Sequence, residues 1–116
     1  MSSTPVVNPT AFSWTDPTTV VGGGAIPAGG LTGYQVGVRP STGTAGTYPI
    51  LSPVAGAASA SEALSAISPS LTAGTYFAAV QAVGAAGIAQ SSAWSNEAEF
   101  TISPPVLSPP TNFTVA

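Results

Sequence analysis

Between residues 11 and 102 the chain runs in short segments of alternating apolar and polar side chains, separated by clusters of Gly, Pro and Ser. Alternation of this kind puts every second side chain on the same face of a strand, so the pattern predicts a half-buried sheet protein. "AFSW" sets Phe12 and Trp14 on one face before Pro17 closes the strand. "LTGYQVGVRP" turns Tyr34, Val36 and Val38 inward and leaves Gln35 and Arg39 outward. "TYPILSP" is a short, proline-limited strand suited to an edge. "GTYFAAVQAV" has the clearest period, with Tyr76, Ala78, Val80 and Ala82 inward and Phe77, Ala79, Gln81 and Val83 on the outer face. "NEAEFTI" places Ala98, Phe100 and Ile102 inward and Glu97, Glu99 and Thr101 outward. The expected fold is all-β, an antiparallel β-sandwich of about seven short strands. Its expected core is Phe12, Trp14, Tyr34, Val36, Val38, Leu71, Tyr76, Val80, Phe100 and Ile102.

Two segments fit this scheme less directly. In "AGAASASEALSAISP", Ser59 and Glu62 have capping-box spacing, and Ala60, Leu64 and Ile67 fit one helical face. The segment is short and lies among strands, so the reading is a strand with room for one helical turn. "TTVVGGGAIPAGG" is a long loop whose glycines make it mobile; it has no Lys-Ser/Thr ending and no helix after it, which excludes a phosphate cradle.

Composition narrows the function classes. Apolar residues make up 44% of the 116 and charged residues only 4%, far below the roughly 25% of an ordinary soluble domain. The length suits one domain with a modest core. The charged side chains are Arg39, Asp16, Glu62, Glu97 and Glu99, for a net charge of −3. One cation cannot track a phosphate backbone or hold an anionic bilayer surface, so neither nucleic acid nor membrane is an expected partner. With so little charge to keep copies apart, self-association or burial in an assembly is expected. There is no Cys, which removes disulfides and thiolate metal sites.

Candidate chemistry is sparse. Without His, Cys or Lys, the usual bases and activated nucleophiles are missing, and no cofactor or metal site is expected. Glu97 and Glu99 share a strand face, but a solvated outer face explains them better than glycoside hydrolysis or calcium binding. Asn112-Phe113-Thr114 matches a glycosylation sequon, a motif frequent by chance. The candidate contact residues are Phe77 and Val83 on the outer sheet face, with Trp94, which either caps the end of the core or projects as an anchor for a partner or a sugar.

The order of these segments from Phe12 to Ile102 resembles the fibronectin type III family of immunoglobulin-like sandwiches. Trp14 in "FSWTDP", Tyr34 and Val36 in "GYQVGV", and "LTAGTYFAAVQAVGAAG" carry the resemblance, with "SSAWSNEAEFTI" similar to the family's last strand and the loop before it. In the third run, Leu71, Gly74, Thr75 and Tyr76 resemble the family's tyrosine corner, where a phenol binds nearby backbone while its ring packs in the core. The front departs from the pattern: "TPVVNP", with Pro5 nine residues before Trp14, leaves space for only a stub of the first strand.

The expected organisation is a sandwich over 1–103, a proline-rich linker over 104–110 and a strand-like tail over 111–116. The tail, "PPTNFTVA", resembles the family's first strand at the wrong end of the chain, with Asn112, Phe113 and Val115 as candidate contacts. It could be the remnant of a tandem array, return to its own sheets, add to a neighbour's sheet edge, or have no role. The first lines, "MSSTPVVNPT", carry no basic and apolar leader pattern. The expectation is a non-enzymatic structural protein of a virus particle, a capsid decoration or tail-associated component, made in the host cytoplasm and joined to other protein subunits or copies of itself. The resemblance adds that such domains are common appendages of bacteriophage structural proteins. The alternative is a carbohydrate- or cell-surface-binding module of a larger secreted protein, with Trp94, Phe77 or Tyr48 as an exposed aromatic platform.

Overall fold

The structure, a computed structural model, describes residues 6–58, 60–66 and 71–116. Among these residues there are seven strands and no α-helix. They are β1 (Val6–Val7), β2 (Ala11–Ser13), β3 (Leu31–Pro40), β4 (Ile50–Ala55), β5 (Ser61–Ala63), β6 (Gly74–Gly84) and β7 (Ala98–Ile102). Five form one sheet in the order β1-β7-β6-β3-β4, and β2 pairs with β5 in a second. The large sheet is mixed, not wholly antiparallel as expected, because β1 runs parallel to β7 with Val6 beside Phe100.

β3 and β6, at ten and eleven residues, are longer than the short strands expected and form the centre of the large sheet. Val36 faces Val80 and Val38 faces Ala78 across their antiparallel ladder. Alternation decides which face each residue takes. Val36, Val38, Tyr76, Ala78 and Phe100 turn to one side and are buried there with Leu64, which stands in a single 3₁₀ turn, Leu64–Ala66, after β5. Phe12 and Trp14 of β2 pack against this cluster from the opposite sheet, with Leu71, Val80 and Ile102 at its margin. Tyr34 is buried and its ring lies 5.2 Å from that of Trp14. All ten expected core positions therefore lie in or against the core.

Tyr76 packs its ring in the core and bonds nearby backbone through its hydroxyl. Its hydroxyl donates to the Thr72 carbonyl at 2.7 Å, and its ring stacks on Phe100 at 5.5 Å. β4 lies at the edge of its sheet, and Pro53 within it needs no ladder bond on the outer side.

The first strand is the stub expected, and β1 joins the sheet at the edge of β7. The segment around Glu62 is the expected strand with one helical turn after it: Glu62 sits in β5, and its carboxylate accepts from the Ser52 hydroxyl at 3.0 Å between the sheets. Ser59 and Ile67, the other residues of that helical reading, lie outside the described residues, as does Pro5. Ala98 points inward with Phe100, yet it is exposed, because the small second sheet does not reach that part of β7.

Candidate docking site

Among the described residues neither outer side of the two-stranded sheet has a further strand, and the β2 side is the one that borders a cleft. Trp14 N–H donates to the Ala60 carbonyl at 2.9 Å, and Leu64 N–H donates to the Thr10 carbonyl at 3.0 Å. Thr10, Phe12 and Trp14 thus turn their backbone groups toward β5. By strand alternation Ala11 and Ser13 turn theirs the other way. Among the described residues no strand pairs with β2 on that side.

Beside this edge lies a cleft of about 560 Å³. Phe12 and Trp14 form one wall, Val36, Ala78, Val80 and Phe100 form the floor, and Ala98 lies at the mouth. Asn96 and Glu99 are the polar rim. Its apolar lining and lack of convergent polar groups suit an apolar segment rather than a reacting substrate. No group of three or more metal-ligating side chains occurs among the described residues.

The segment 104–116 is exposed throughout and forms no strand. Val106 is 95% exposed, Leu107 90%, Phe113 88% and Val115 89%. The tail draws the molecule out to 77 Å in length against 28 and 24 Å across. It leaves the body where Ser103 N–H donates to the Asn8 side chain at 2.9 Å, at the end of β7. Asn112 has φ 58°, a left-handed conformation that Asn tolerates better than most residues.

The outer face of the large sheet is not the bare patch that alternation implied. Arg39 turns away from the core as expected but is only 6% exposed. Its Nε donates to Glu97 Oε2 at 2.8 Å and its Nη2 to Glu97 Oε1 at 2.7 Å, a two-point pairing of planar groups. Arg39 Nη1 donates to the Gly43 carbonyl at 3.0 Å, and the guanidinium lies 4.5 Å over the Phe77 ring. Tyr48 adds its hydroxyl to Glu97 Oε2 at 2.7 Å. Hydrogen bonding from Arg39, with smaller help from Tyr48, holds the Glu97 carboxyl down at about 2 against desolvation. Burial, then the bond to Glu97, pushes the Tyr48 phenol up to about 12. Glu97 is therefore one half of an internal ion pair and not a member of a solvated carboxylate face.

The segment before β7 explains how this cover is held. Val80, Ala82 and Gly84 donate their N–H groups to the hydroxyls of Ser95, Ser92 and Ser91 at 2.9–3.0 Å. Serines thus take the place of a paired strand beyond the end of β7 and carry Trp94 onto the sheet. Its ring packs 4.6 Å from that of Tyr48 over Gly37. Trp94 neither caps the core nor projects freely. Tyr48 is 9% exposed, Phe77 is half-buried under Arg39, and Trp94 is half-buried against Tyr48. Val83 is half-buried as well.

No family model, curated protein or solved structure matches the chain. Its geometry has to speak for its function.

Sequence reading found the tail residues Asn112, Phe113 and Val115 and the cleft walls Phe12 and Trp14. It missed Ala11 and Ser13 as a backbone site, since edge exposure is a property of strand order. It also missed the Arg39–Glu97–Tyr48 group, whose only signal was the rarity of charge in the chain.

Proposed function

We propose that this protein is a non-enzymatic structural component of a virus particle, a capsid decoration or tail-associated subunit that acts by protein–protein contact. The observation that carries this reading is the tail, which holds four large apolar side chains in solvent beyond a folded body. Apolar surface of this kind is removed from water when a protein meets its partner.

Magnitudes favour a multi-copy setting over a simple soluble pair. Burying Phe113 and Val115 contributes about 1.5–3 kcal/mol each. Association costs about 4–15 kcal/mol in lost freedom, so one docked tail is a weak contact. A weak contact becomes durable when many copies are held on one scaffold, where each docking event raises the local concentration for the next.

The body supports a fibronectin-III or immunoglobulin-like assignment. The order β7-β6-β3-β4 facing β2-β5, together with the Tyr76 bond to Thr72, corresponds to the strand arrangement and tyrosine corner of that architecture. Fold alone assigns no role, so the functional reading rests on the tail. Sedimentation of the full chain and of a chain lacking Pro109–Ala116, over a range of concentrations, tests it. The full chain should associate, alone or with a structural subunit of its particle, and the shortened chain should stay monomeric with an unchanged melting temperature. A full chain that binds glycans as a monomer and associates with no protein would overturn the reading.

A further inference from the structure

We infer that the tail of one copy adds as a strand to the free edge of β2 in a second copy, with Phe113 and Val115 entering the cleft beside Phe12 and Trp14. This deepens the reading above and rests on it, naming the partner as another copy of this chain and the receiving site as the β2 edge.

The backbone argument comes first. Ala11 and Ser13 offer two N–H and two C=O groups on the open side of β2, as the bonds of their neighbours Thr10 and Trp14 establish. An antiparallel strand of the tail with Phe113 facing the core turns the backbone groups of Asn112 and Thr114 toward those of Ser13 and Ala11. Asn112 passes from its left-handed φ of 58° to extended backbone on docking. The next residue of the same parity toward the body is Pro110, which has no N–H, so the pairing frame begins at Asn112.

The side chains agree with that frame. Alternation sends Phe113 and Val115 to the cleft, whose floor of Val80 and Ala78 is apolar, and leaves Asn112 and Thr114 facing solvent beside Ala11 and Ser13. The tail has no charged residue, and the one charged residue of the cleft, Glu99, lies at its rim, so Phe113 and Val115 enter among apolar side chains.

Chain stiffness selects a second copy over return to the same one. Pro104, Pro105, Pro109 and Pro110 keep the segment extended, and no glycine after Ser103 supplies a reversal. Seven linker residues at about 3.1 Å each carry Thr111 roughly 20 Å from the body. β7 ends beside Asn8, three residues before β2 begins, so an own-chain return would need a sharp reversal in the proline-rich stretch. A neighbouring copy meets the tail without one.

The absence of cysteine makes the test direct. A chain carrying Ser13→Cys is mixed with a second chain carrying either Asn112→Cys or Thr114→Cys, and disulfide formation is followed by non-reducing electrophoresis. The expected result is a crosslinked heterodimer with Asn112→Cys, which an antiparallel strand sets opposite Ser13; a crosslink with Thr114→Cys in its place would overturn this pairing frame. Thr114→Pro, which removes a docking N–H from an unpaired segment and cannot disturb the fold, should weaken self-association at least tenfold relative to Thr114→Ala. Ala11→Pro should do the same with the circular dichroism spectrum unchanged. If removing Pro109–Ala116 abolishes association while Thr114→Pro and the cysteine mixtures have no effect, the tail docks elsewhere: this inference falls and the functional reading stands. A full chain that stays monomeric yet binds a different subunit through its tail also overturns the second copy alone. A crosslink formed within one chain carrying both cysteines at high dilution overturns addition between copies.

Discussion

Replacing Gly37 with Ala separates two opposite expectations. Gly37 lies in the middle of β3 with a backbone conformation that any residue adopts, since it is not among the positive-φ glycines. By strand preference alone Ala would stabilise the chain by about 0.5–1 kcal/mol, through the freedom that Gly loses on folding. The structure reverses the sign. A Cβ at this position would stand 2.7 Å from Cγ of Tyr48 and 3.0 Å from Cη2 of Trp94. Ordinary contact begins near 3.4 Å, so the Tyr48 ring must retreat by about 0.7 Å. It is not free to do so: its hydroxyl is bonded to Glu97 at 2.7 Å, and Trp94 packs on its face. Overpacking of this kind costs about 1–3 kcal/mol, which after the glycine effect leaves a net loss of about 1 kcal/mol, with roughly 2.5 kcal/mol as its upper bound. For a domain of this size each kcal/mol is about 3–6 °C in melting temperature. Thermal unfolding by circular dichroism gives the stability, and the emission maximum of the tryptophans reports the displaced Trp94. A Gly37→Ala protein that melts at or above the parent temperature with unchanged emission would refute the ring cover over β3.

Three further outcomes follow from particular contacts. Tyr76→Phe removes the bond to the Thr72 carbonyl and keeps the ring, so urea unfolding should show a loss of about 1 kcal/mol. Glu62 lies between the sheets with Oε1 lacking a partner, and burial raises its carboxyl above the ordinary range. Glu62→Gln should therefore stabilise the protein at pH 7, by about 1 kcal/mol in the same assay. Glu97 is depressed to about 2 from 4.5, so between those values the unfolded chain binds more protons than the folded one. The contribution of Glu97 is complete above about pH 4.5 and is lost as pH falls toward 2; Glu97→Gln should flatten that limb of the melting temperature against pH.

The inner face of the fold was legible because a two-residue period leaves little choice. Tyr34, Val36 and Val38 on one strand, and Tyr76 and Ala78 on its neighbour, can share a core only in one facing. The β4 edge was legible from its proline, and the turn after β5 from the competing helical spacing at Leu64. What lay beyond reach depends on residues distant in sequence. Arg39 and Glu97 are 58 positions apart, and nothing local marks either as the other's partner. The rule that sent Arg39 and Phe77 outward was correct, but it does not say that Trp94 and Tyr48 will cover that side. Ala98 failed in the opposite sense: its alternation was right, and the second sheet was too narrow to cover it. The cleft lies where the two-stranded sheet stops short of β7, and strand order of that kind is not marked in any local stretch.

Because its single guanidinium is locked into an internal pair, the protein presents to its surroundings no side chain of positive sign. The contacts between copies proposed above would then owe almost nothing to attraction of opposite charges. Ordinary sodium chloride should leave them nearly unchanged, whereas sulfate, which strengthens the withdrawal of apolar surface from water, should tighten them. Such an assembly would keep its cohesion in dilute and briny water alike.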